Sequence, residues 1–173
     1  SSRPKTDDGV IPRKVDEIDW DTWNFRDKAV LCFIRKGDEI LLMKKKTGLG
    51  KGKINAPGGR IEAGETAQEA AVRETKEEVR MTPDSLEEQV ILNFIFTDGY
   101  SIHGTVFFAG DFSGEPGETR EADPFWCKMA DIPYDKMWED DAHWLPRALN
   151  GEKLRGRFIF DGDDMVDGRV EEL

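Results

Sequence analysis

Three glutamates with helical spacing are the residues of this chain best suited to chemistry. Glu74, Glu77 and Glu78 lie in a segment that contains neither glycine nor proline. At roughly 100° per residue, they fall within an arc of about 100° on one helix face. Thr66, followed three residues later by Glu69, has the spacing of a capping box and predicts that the helix begins there.

A solvated acidic helix is the ordinary explanation of such a charge run. It fits poorly here, because Glu74 and Glu78 are four residues apart, where like charges repel by a few tenths of a kcal/mol. Arg73 is expected to lie nearest to Glu69 and Glu77. Bound cations explain this acidic face better. Oxygen-only ligands favour hard ions such as Mg²⁺, which usually keeps several waters and is shared with substrate phosphates.

The spacing of these acids resembles the Nudix box, the signature of hydrolases that cleave nucleoside diphosphates linked to another group. Its six fixed positions recur here in a turn–helix context: Gly59, Glu65, Arg73, Glu74, Glu77 and Glu78. Two positions depart from the family pattern. Thr75 stands where an aliphatic residue is expected, and Arg80 stands where the closing glycine normally sits. Neither is a metal ligand, so these departures concern helix packing and the helix end.

The resemblance implies metal-assisted hydrolysis of a nucleotide. The cation would be Mg²⁺, for which Mn²⁺ could substitute, and a water made more acidic by it would attack phosphorus in line. The implied ligands are the backbone carbonyl of Gly58 and the carboxylates of Glu74, Glu77, Glu78 and Glu121.

The other charged residues of the site have open roles at this point. Glu65 would either orient Arg73 or coordinate a further metal. Glu78 or Glu121 would be the general base. Glu121 matches a family glutamate that approaches the metals, but it would serve equally well as a surface loop acid.

The overall charge limits the partners. The chain has 173 residues, a net charge of −11 and a pI near 4.7. Nucleic-acid binding is therefore not expected, because phosphate contacts need clustered Lys and Arg. A nucleotide substrate is compatible, since a metal supplies positive charge locally. No apolar run is long enough to span a membrane and the N-terminus lacks a signal-peptide core, so we expect a soluble, cytoplasmic protein.

The pattern of apolar runs and helical segments predicts an α/β fold. Strands are predicted at residues 29–34, 40–43, 54–57, 90–96, 105–109, 125–127 and 153–159. The first two and the fourth and fifth should form hairpins. A second helix is predicted over residues 138–149, and residues 83–85 should break the chain. The Nudix resemblance implies an α-β-α sandwich with a mixed, curved β-sheet between helices.

The domain organisation is predicted as an N-terminal extension, residues 1–28, followed by the Nudix hydrolase domain, residues 29–173. Trp20, Trp23 and Phe25 could pack the extension onto the domain, line the pocket or contact a second subunit, and simple packing is favoured. Whether the protein is a monomer or a dimer stays open. Cys32 and Cys127 form no paired ligand motif and are expected to be buried in a reducing compartment.

Three segments further resemble the oxidised purine nucleoside triphosphatases, the animal homologues of MutT: residues 43–59, 131–146 and 156–163. The resemblance implies that Asn55, Asp140 and Asp141 hydrogen-bond the base edge and that Trp138 stacks on its ring. The implied reaction converts a triphosphate such as 8-oxo-dGTP to the monophosphate and pyrophosphate, which sanitises the nucleotide pool.

The adjacent aspartates support this role by their own chemistry. Asp140 and Asp141 repel each other, and in an apolar pocket one of them would have a raised pKa. A protonated and an ionised carboxyl side by side offer a donor and an acceptor, which suits a lactam purine or its oxidised form. The alternative is that one of the two simply caps the helix.

Three further residues are expected to contact the substrate. Lys45 follows an apolar strand and directly precedes the metal–phosphate site, where it would steady phosphate charge. Leu49 stands where the animal enzymes carry a phenylalanine that stacks on the base, and Phe94 could supply an aromatic wall instead.

Two other classes of function stay open from the sequence. A hydrolase of a dinucleoside polyphosphate or a nucleotide sugar uses the same box. A non-catalytic nucleotide-binding module is the second alternative, although such relatives usually lose box glutamates and this chain keeps them.

Overall fold

A nine-stranded β-sheet and two α-helices form the part of the chain that the computed structural model describes, residues 11–173. The helices are α1, Ala67–Val79, and α2, Asp141–Leu149. The strands are β1 Asp27–Lys36, β2 Glu39–Lys45, β3 Ile54–Asn55, β4 Gly58–Arg60, β5 Thr82–Phe96, β6 Ser101–Ser113, β7 Ala122–Lys128, β8 Leu154–Asp161 and β9 Asp164–Glu172. Neither of these helices is long and apolar enough to cross a bilayer.

The sheet is mixed, as predicted. Its order is β3-β2-β1-β6-β5-β8-β9, with β4 paired to β1 and β7 paired to β2. The pairs β1–β6 and β5–β8 are parallel, and the others are antiparallel. Both predicted hairpins, β1–β2 and β5–β6, are confirmed. The α/β fold class is therefore confirmed as well.

The two helices cover opposite faces of the sheet, because successive strand residues point to opposite sides. Phe33 packs edge-on against Trp144 of α2, with ring centroids 6.1 Å apart. Its neighbour Cys32 instead joins Ala70 and Ala71 of α1 in a second core. The alanines thus lie in the core, where their small side chains let α1 sit close to the sheet. Both cysteines are free and buried, as expected.

The segment before β1 packs against the sheet. Its buried side chains form one cluster with Ile95 and Ile159: Ile11, Val15, Ile18, Trp20 and Trp23. The Trp20 indole N–H donates to the Val15 carbonyl at 3.0 Å, and the Val15 N–H donates to Asp167 at 2.7 Å. None of these cluster residues lines the cavity described below. Residues 1–10 of the predicted extension lie outside the described part of the chain.

The predicted break at residues 83–85 is wrong. These residues belong to β5, where Pro83 pairs with Phe112 of β6. Strand β8 joins β5 only from Val90 onward, so Pro83 has a partner strand on one side only. An edge position tolerates the missing proline N–H. Ser85 takes a positive φ of 53°, and the pairing register is the same on both sides of it, with Asp84 opposite Asp111 and Leu86 opposite Ala109.

Three other boundaries differ from prediction. Gly58 and Gly59, whose sequence Ala-Pro-Gly-Gly at residues 56–59 is a turn signal, instead form β4 and pair with β1. Helix α2 begins at Asp141, because Trp138 packs into the core against Phe160 before the helix starts. The single predicted final strand is a hairpin of β8 and β9, turned at Gly162 with φ 59°. Most β9 side chains are exposed or half-exposed, so β9 lacks an apolar signal.

The two ends of α1 follow different rules. At its start, the capping box is present: the Glu69 N–H donates to the Thr66 hydroxyl at 3.1 Å, and the Thr66 N–H donates to the Glu69 carboxylate at 2.8 Å. At its end, Arg80 adopts φ 64°, the left-handed conformation that favours glycine. The Arg80 side chain then packs against Gly117, which leaves room for it, since a Cβ on Gly117 would lie 2.9 Å from the Arg80 Cδ.

Replacing Arg80 with glycine and, separately, with alanine isolates the cost of this conformation. Both variants lose the side chain, but only glycine removes the Cβ that disfavours positive φ. We expect Arg80→Gly to be more stable than Arg80→Ala by about 1 kcal/mol in urea unfolding. Equal stabilities of the two variants would contradict strain at this position.

Candidate functional site

A single cavity of about 620 Å³ contains nearly all the predicted site residues. From the box region, it is lined by Gly58, Arg73, Glu74, Glu77, Glu78 and Glu121. From the predicted base pocket, it is lined by Lys45, Leu49, Asn55, Phe94, Trp138, Asp140 and Asp141. Among the predicted residues, Glu65 alone does not line it. We call the four glutamates of the first group the acidic cluster.

Several lining residues were not predicted. Phe96, Ile102 and Phe160 also face this cavity. Phe96 follows Phe94 by two positions on β5, so the alternation of strand side chains could have placed both on one face. Phe160 lies on β8, and its approach to β5 depends on a parallel pairing that no local pattern indicates.

Two glycines allow the acidic cluster to approach the sheet. A Cβ on Gly59 would lie 1.8 Å from a carboxylate oxygen of Glu74, so that carboxylate fills the space a side chain would need. A Cβ on Gly58 would lie 2.1 Å from the Val30 carbonyl oxygen. The Gly58 N–H in turn donates to Glu78 at 2.8 Å and fixes the direction of that carboxylate. The glycines thus serve close packing at this point.

Burial dominates the electrostatics of the acidic cluster. It raises the pKa of Glu78 to about 7, against the opposing hydrogen bond from Gly58. It likewise raises the pKa of Glu74 to about 7, against the opposing charge of Arg73. Repulsion from Glu121 adds to the rise of pKa at both residues. These carboxylates therefore lack a sufficient counter-charge in the protein itself.

Arg73 supplies part of the counter-charge of the acidic cluster. Its Nε and Nη2 donate to the two carboxylate oxygens of Glu65 at 2.5 and 3.0 Å. Its Nη1 lies 3.6 Å from Glu74 and 3.5 Å from Glu77. The expected contact with Glu69 is wrong, because Glu69 is engaged in the capping box. Of the two roles considered for Glu65, this geometry supports orientation of Arg73.

The donor chemistry of the acidic cluster fits a divalent cation. All its side-chain donors are carboxylate oxygens, which hard ions prefer, and two of them are desolvated without an adequate cationic partner. Within residues 11–173, no three His, Cys, Asp or Glu side chains converge closely enough to hold an ion by themselves. Water and substrate oxygens would complete the coordination shell.

Trp138 is held from several sides. Its ring packs edge-on against Phe160 and Phe96, with centroids 5.4 and 6.3 Å apart. The Lys53 ammonium lies 5.1 Å from the ring centroid. A Cβ on Gly50 would lie 2.8 Å from the indole nitrogen, so the glycine-rich loop of residues 47–52 packs against Trp138 at this point. The indole is therefore a fixed wall of the cavity.

The remaining predicted contacts surround that wall. Phe94 stacks on Phe158 with centroids 5.8 Å apart, and Leu49 is half exposed at the cavity. The Asn55 side-chain oxygen accepts the Ala56 N–H at 2.8 Å, which orients its amide. Lys45 lies near enough to Glu78 to lower its pKa.

Asp140 and Asp141 are both buried, at 1% and 3% exposure. Asp140 accepts the Trp144 indole N–H at 2.9 Å and makes no side-chain cap to α2, which argues against the capping alternative. Burial raises the pKa of Asp140 to about 6. Burial, together with the charge of Asp140, raises the pKa of Asp141 well above its ordinary range. The buried pair therefore holds a proton more tightly than two solvent-exposed aspartates would.

Replacing both aspartates with asparagine should change how stability depends on pH. Because the folded protein binds protons at this pair more tightly than the unfolded chain, the contribution of the pair to stability falls as pH rises from about 4 to 6. We expect the double asparagine variant to gain on the order of 2 kcal/mol relative to wild type across this interval. Chemical unfolding of both proteins at several pH values measures this difference in the free energy of unfolding.

The exposed neighbours Asp163 and Asp164 provide the matched control. The same double replacement there should leave the pH profile close to that of wild type. A profile of the Asp140 and Asp141 variant parallel to wild type would contradict the buried proton.

Comparison with known proteins identifies the family of the chain. The NUDIX domain family matches residues 25–148. An oxidized purine nucleoside triphosphate hydrolase of Danio rerio is 37% identical over 147 residues, which cover 83% of this chain and 93% of that protein. The enzyme of the same name from Mus musculus is 32% identical over 137 residues, which cover 79% and 88%.

Comparison of the fold with solved structures points to the same family. The crystal structure of a MutT protein from Bacillus halodurans matches with a TM-score of 0.74 at 26% identity, covering 84% of this chain and 97% of that one. The region that the NUDIX domain family matches, residues 25–148, contains the acidic cluster, Arg73 and the Asp140–Asp141 pair. The chain therefore belongs to the Nudix hydrolases.

Proposed function

We propose that this Nudix hydrolase converts oxidised purine nucleoside triphosphates such as 8-oxo-dGTP to the monophosphate and pyrophosphate, and so sanitises the nucleotide pool. The observation that carries the proposal is the shared cavity: the buried Asp140–Asp141 pair and Trp138 line the same space as the acidic cluster. The names of the two animal relatives support the same substrate class.

Base recognition is proposed for Asp140, Asp141, Asn55 and Trp138. A carboxyl of this pair that keeps its proton can donate to a base oxygen or nitrogen, while an ionised carboxyl beside it can accept from a ring N–H. One Asp141 oxygen is buried without a hydrogen-bond partner, so a bound base edge would satisfy it. Trp138 offers a rigid aromatic face beside them, on which a purine ring can stack.

The acidic cluster is proposed to hold the cofactor. Nudix hydrolases generally need a divalent metal, and Mg²⁺, with Mn²⁺ as a substitute, fits this oxygen-only donor set. The ligands would be Glu74, Glu77, Glu78 and Glu121 with the Gly58 carbonyl. When bound, the cation neutralises charge on phosphate oxygens and makes a water more acidic.

The chain's own groups would orient the reaction. Glu78 is the better candidate for the general base than Glu121, because it is 3% exposed and fixed by the Gly58 N–H, whereas Glu121 is exposed. Glu65 would hold Arg73 against Glu74 and Glu77. Lys45 would bind phosphate, since its neighbour Lys46 is engaged with Glu118.

The cellular setting is proposed from charge and cysteine chemistry. A free nucleotide, not nucleic acid, is the proposed substrate, because the net charge is −11. Two free, buried cysteines favour a reducing compartment such as the cytoplasm. The predicted extension, residues 1–28, is proposed to lie outside the catalytic domain as far as residue 26, since Asp27 and Lys28 begin β1. Its described buried side chains pack on the sheet and do not line the cavity.

A hydrolysis panel with Mg²⁺ tests the substrate. It compares 8-oxo-dGTP, 2-oxo-dATP, dGTP, ATP, diadenosine tetraphosphate and ADP-ribose, with the products identified. We expect kcat/KM to be highest for an oxidised purine triphosphate, with pyrophosphate released. Preference for the dinucleotide or the sugar nucleotide would keep the hydrolase and discard the base pocket assignment.

The variant Glu78→Gln checks that turnover arises at this site. It should lower kcat by roughly 10²- to 10⁴-fold on every substrate that is cleaved, because it removes a carboxylate proposed for proton transfer and metal binding. Glu87→Gln, at an exposed position of β5, is the matched control and should keep wild-type activity. Retained turnover in Glu78→Gln would contradict the proposed mechanism.

A further inference from the structure

The loop between β6 and β7, residues 114–121, is tied to the C-terminal turn of α1. We call it the Glu121 loop. The Gly117 N–H donates to the Val79 carbonyl at 2.9 Å. The Thr119 hydroxyl donates to the Glu78 carbonyl at 2.8 Å. These two bonds use carbonyls at the end of α1 that have no partner inside the helix. The loop is thereby attached to the backbone of Glu78 itself.

The Thr119 hydroxyl also bonds the far side of the loop. It accepts the Glu121 N–H at 3.2 Å and the Ala122 N–H at 3.3 Å. A hydroxyl has one donor and two acceptor positions, so these three bonds use its full capacity. One side chain thus links the backbone of Glu78 to the backbone of Glu121.

Lys46, the residue after β2, also holds the Glu121 loop in place. Its backbone N–H donates to the Glu121 carbonyl at 2.8 Å, and its ammonium donates to the Thr119 carbonyl at 2.9 Å. The Thr119 N–H closes the turn by donating to the Ala122 carbonyl at 2.9 Å. The base of the loop is therefore fixed, while the Glu121 side chain lines the cavity.

The position of the Glu121 loop matters because Glu121 lines the same cavity as Glu74 and Glu78 and repels them. The negative charge of Glu121 acts on both Glu74 and Glu78, which are themselves short of counter-charge. Before a cation binds, this repulsion favours movement of the loop away from α1. The hydrogen bonds of Thr119 oppose that movement, because they join the two repelling residues through their backbones.

We propose that Thr119 is a positioning residue of the metal site, which holds Glu121 beside Glu78 before a divalent cation binds. The inference rests on the proposed function in one respect, the assignment of Glu121 as a ligand. It adds a residue that touches neither substrate nor metal. Its effect should appear as cation affinity in the free protein.

Direct binding of Mn²⁺ to the nucleotide-free protein, measured by electron paramagnetic resonance, tests the proposal. Thr119→Val keeps the shape of the side chain and removes all three hydroxyl bonds. We expect it to raise the Kd for Mn²⁺ about three- to tenfold. Thr119→Ser restores the hydroxyl and should return the Kd close to wild type. Thr97→Val is the matched control, since it deletes a hydroxyl bond of 2.8 Å to Asp161 outside the cavity.

Combination with Glu121→Gln separates positioning from a general loss of stability. If Thr119 acts through Glu121, Thr119→Val should weaken Mn²⁺ binding much less in the Glu121→Gln background than in wild type. Unchanged Mn²⁺ affinity in Thr119→Val, failure of serine to rescue, or the same loss in both backgrounds would each overturn the proposal. Because no nucleotide is present, these outcomes are independent of the substrate panel.

Discussion

Glu74 and Glu78 lie one turn apart on α1 in a partly desolvated cavity, which Glu121 of the loop between β6 and β7 also lines. Their mutual repulsion has to be contained by the rest of the structure. Burial raises the pKa of both box glutamates, and Arg73 and the Gly58 amide offset only part of this effect. A bound cation can supply the remaining counter-charge. The same crowding that disfavours the charged site alone thus favours binding of a divalent metal with its phosphate ligand.

In a second pair of acids in the same cavity, the repulsion is relieved by a proton. Asp140 and Asp141 are fully buried among aromatic side chains, and the pair retains a proton instead of gaining a cation. We propose that this difference in environment gives one set of carboxyls a role toward metal and phosphate and the other a role toward a base. Strand β5 and its neighbours place both sets along one space, so that a single nucleotide can contact both.

Much of this arrangement could be predicted from sequence, because it depends on local spacing. The capping box of α1, the helix face of its glutamates and the β1–β2 and β5–β6 hairpins follow from short-range patterns. The contact of Arg73 with Glu65 was expected only as one of two alternatives, because Glu65 reaches Arg73 through the fold of the loop before α1 and not through helical spacing. Strand β9 was missed because it is exposed on most sides, and its pairing with β8 leaves no apolar alternation.

The role of Thr119 had no sequence signal either. A threonine in a polar loop is ordinary, and its bonds to Glu78 and Ala122 join residues that are 41 and 3 positions away. Arg80 was recognised as a departure from the family glycine, but the residue that accommodates it, Gly117, lies in the same distant loop. Contacts between this loop and the end of α1 are tertiary, and only the folded structure places them together.

Calorimetric titration of the free monophosphates tests the central claim most directly, that a buried aspartate pair reads the base in the cavity that holds the catalytic acids. The account predicts that 8-oxo-dGMP binds more tightly than dGMP, and that Asp141→Asn weakens 8-oxo-dGMP binding about tenfold or more, since a hydrogen bond next to a charged group is lost. In the absence of metal, Glu78→Gln should bind 8-oxo-dGMP as wild type does. Equal affinity for both nucleotides, or unchanged binding by Asp141→Asn, would contradict it.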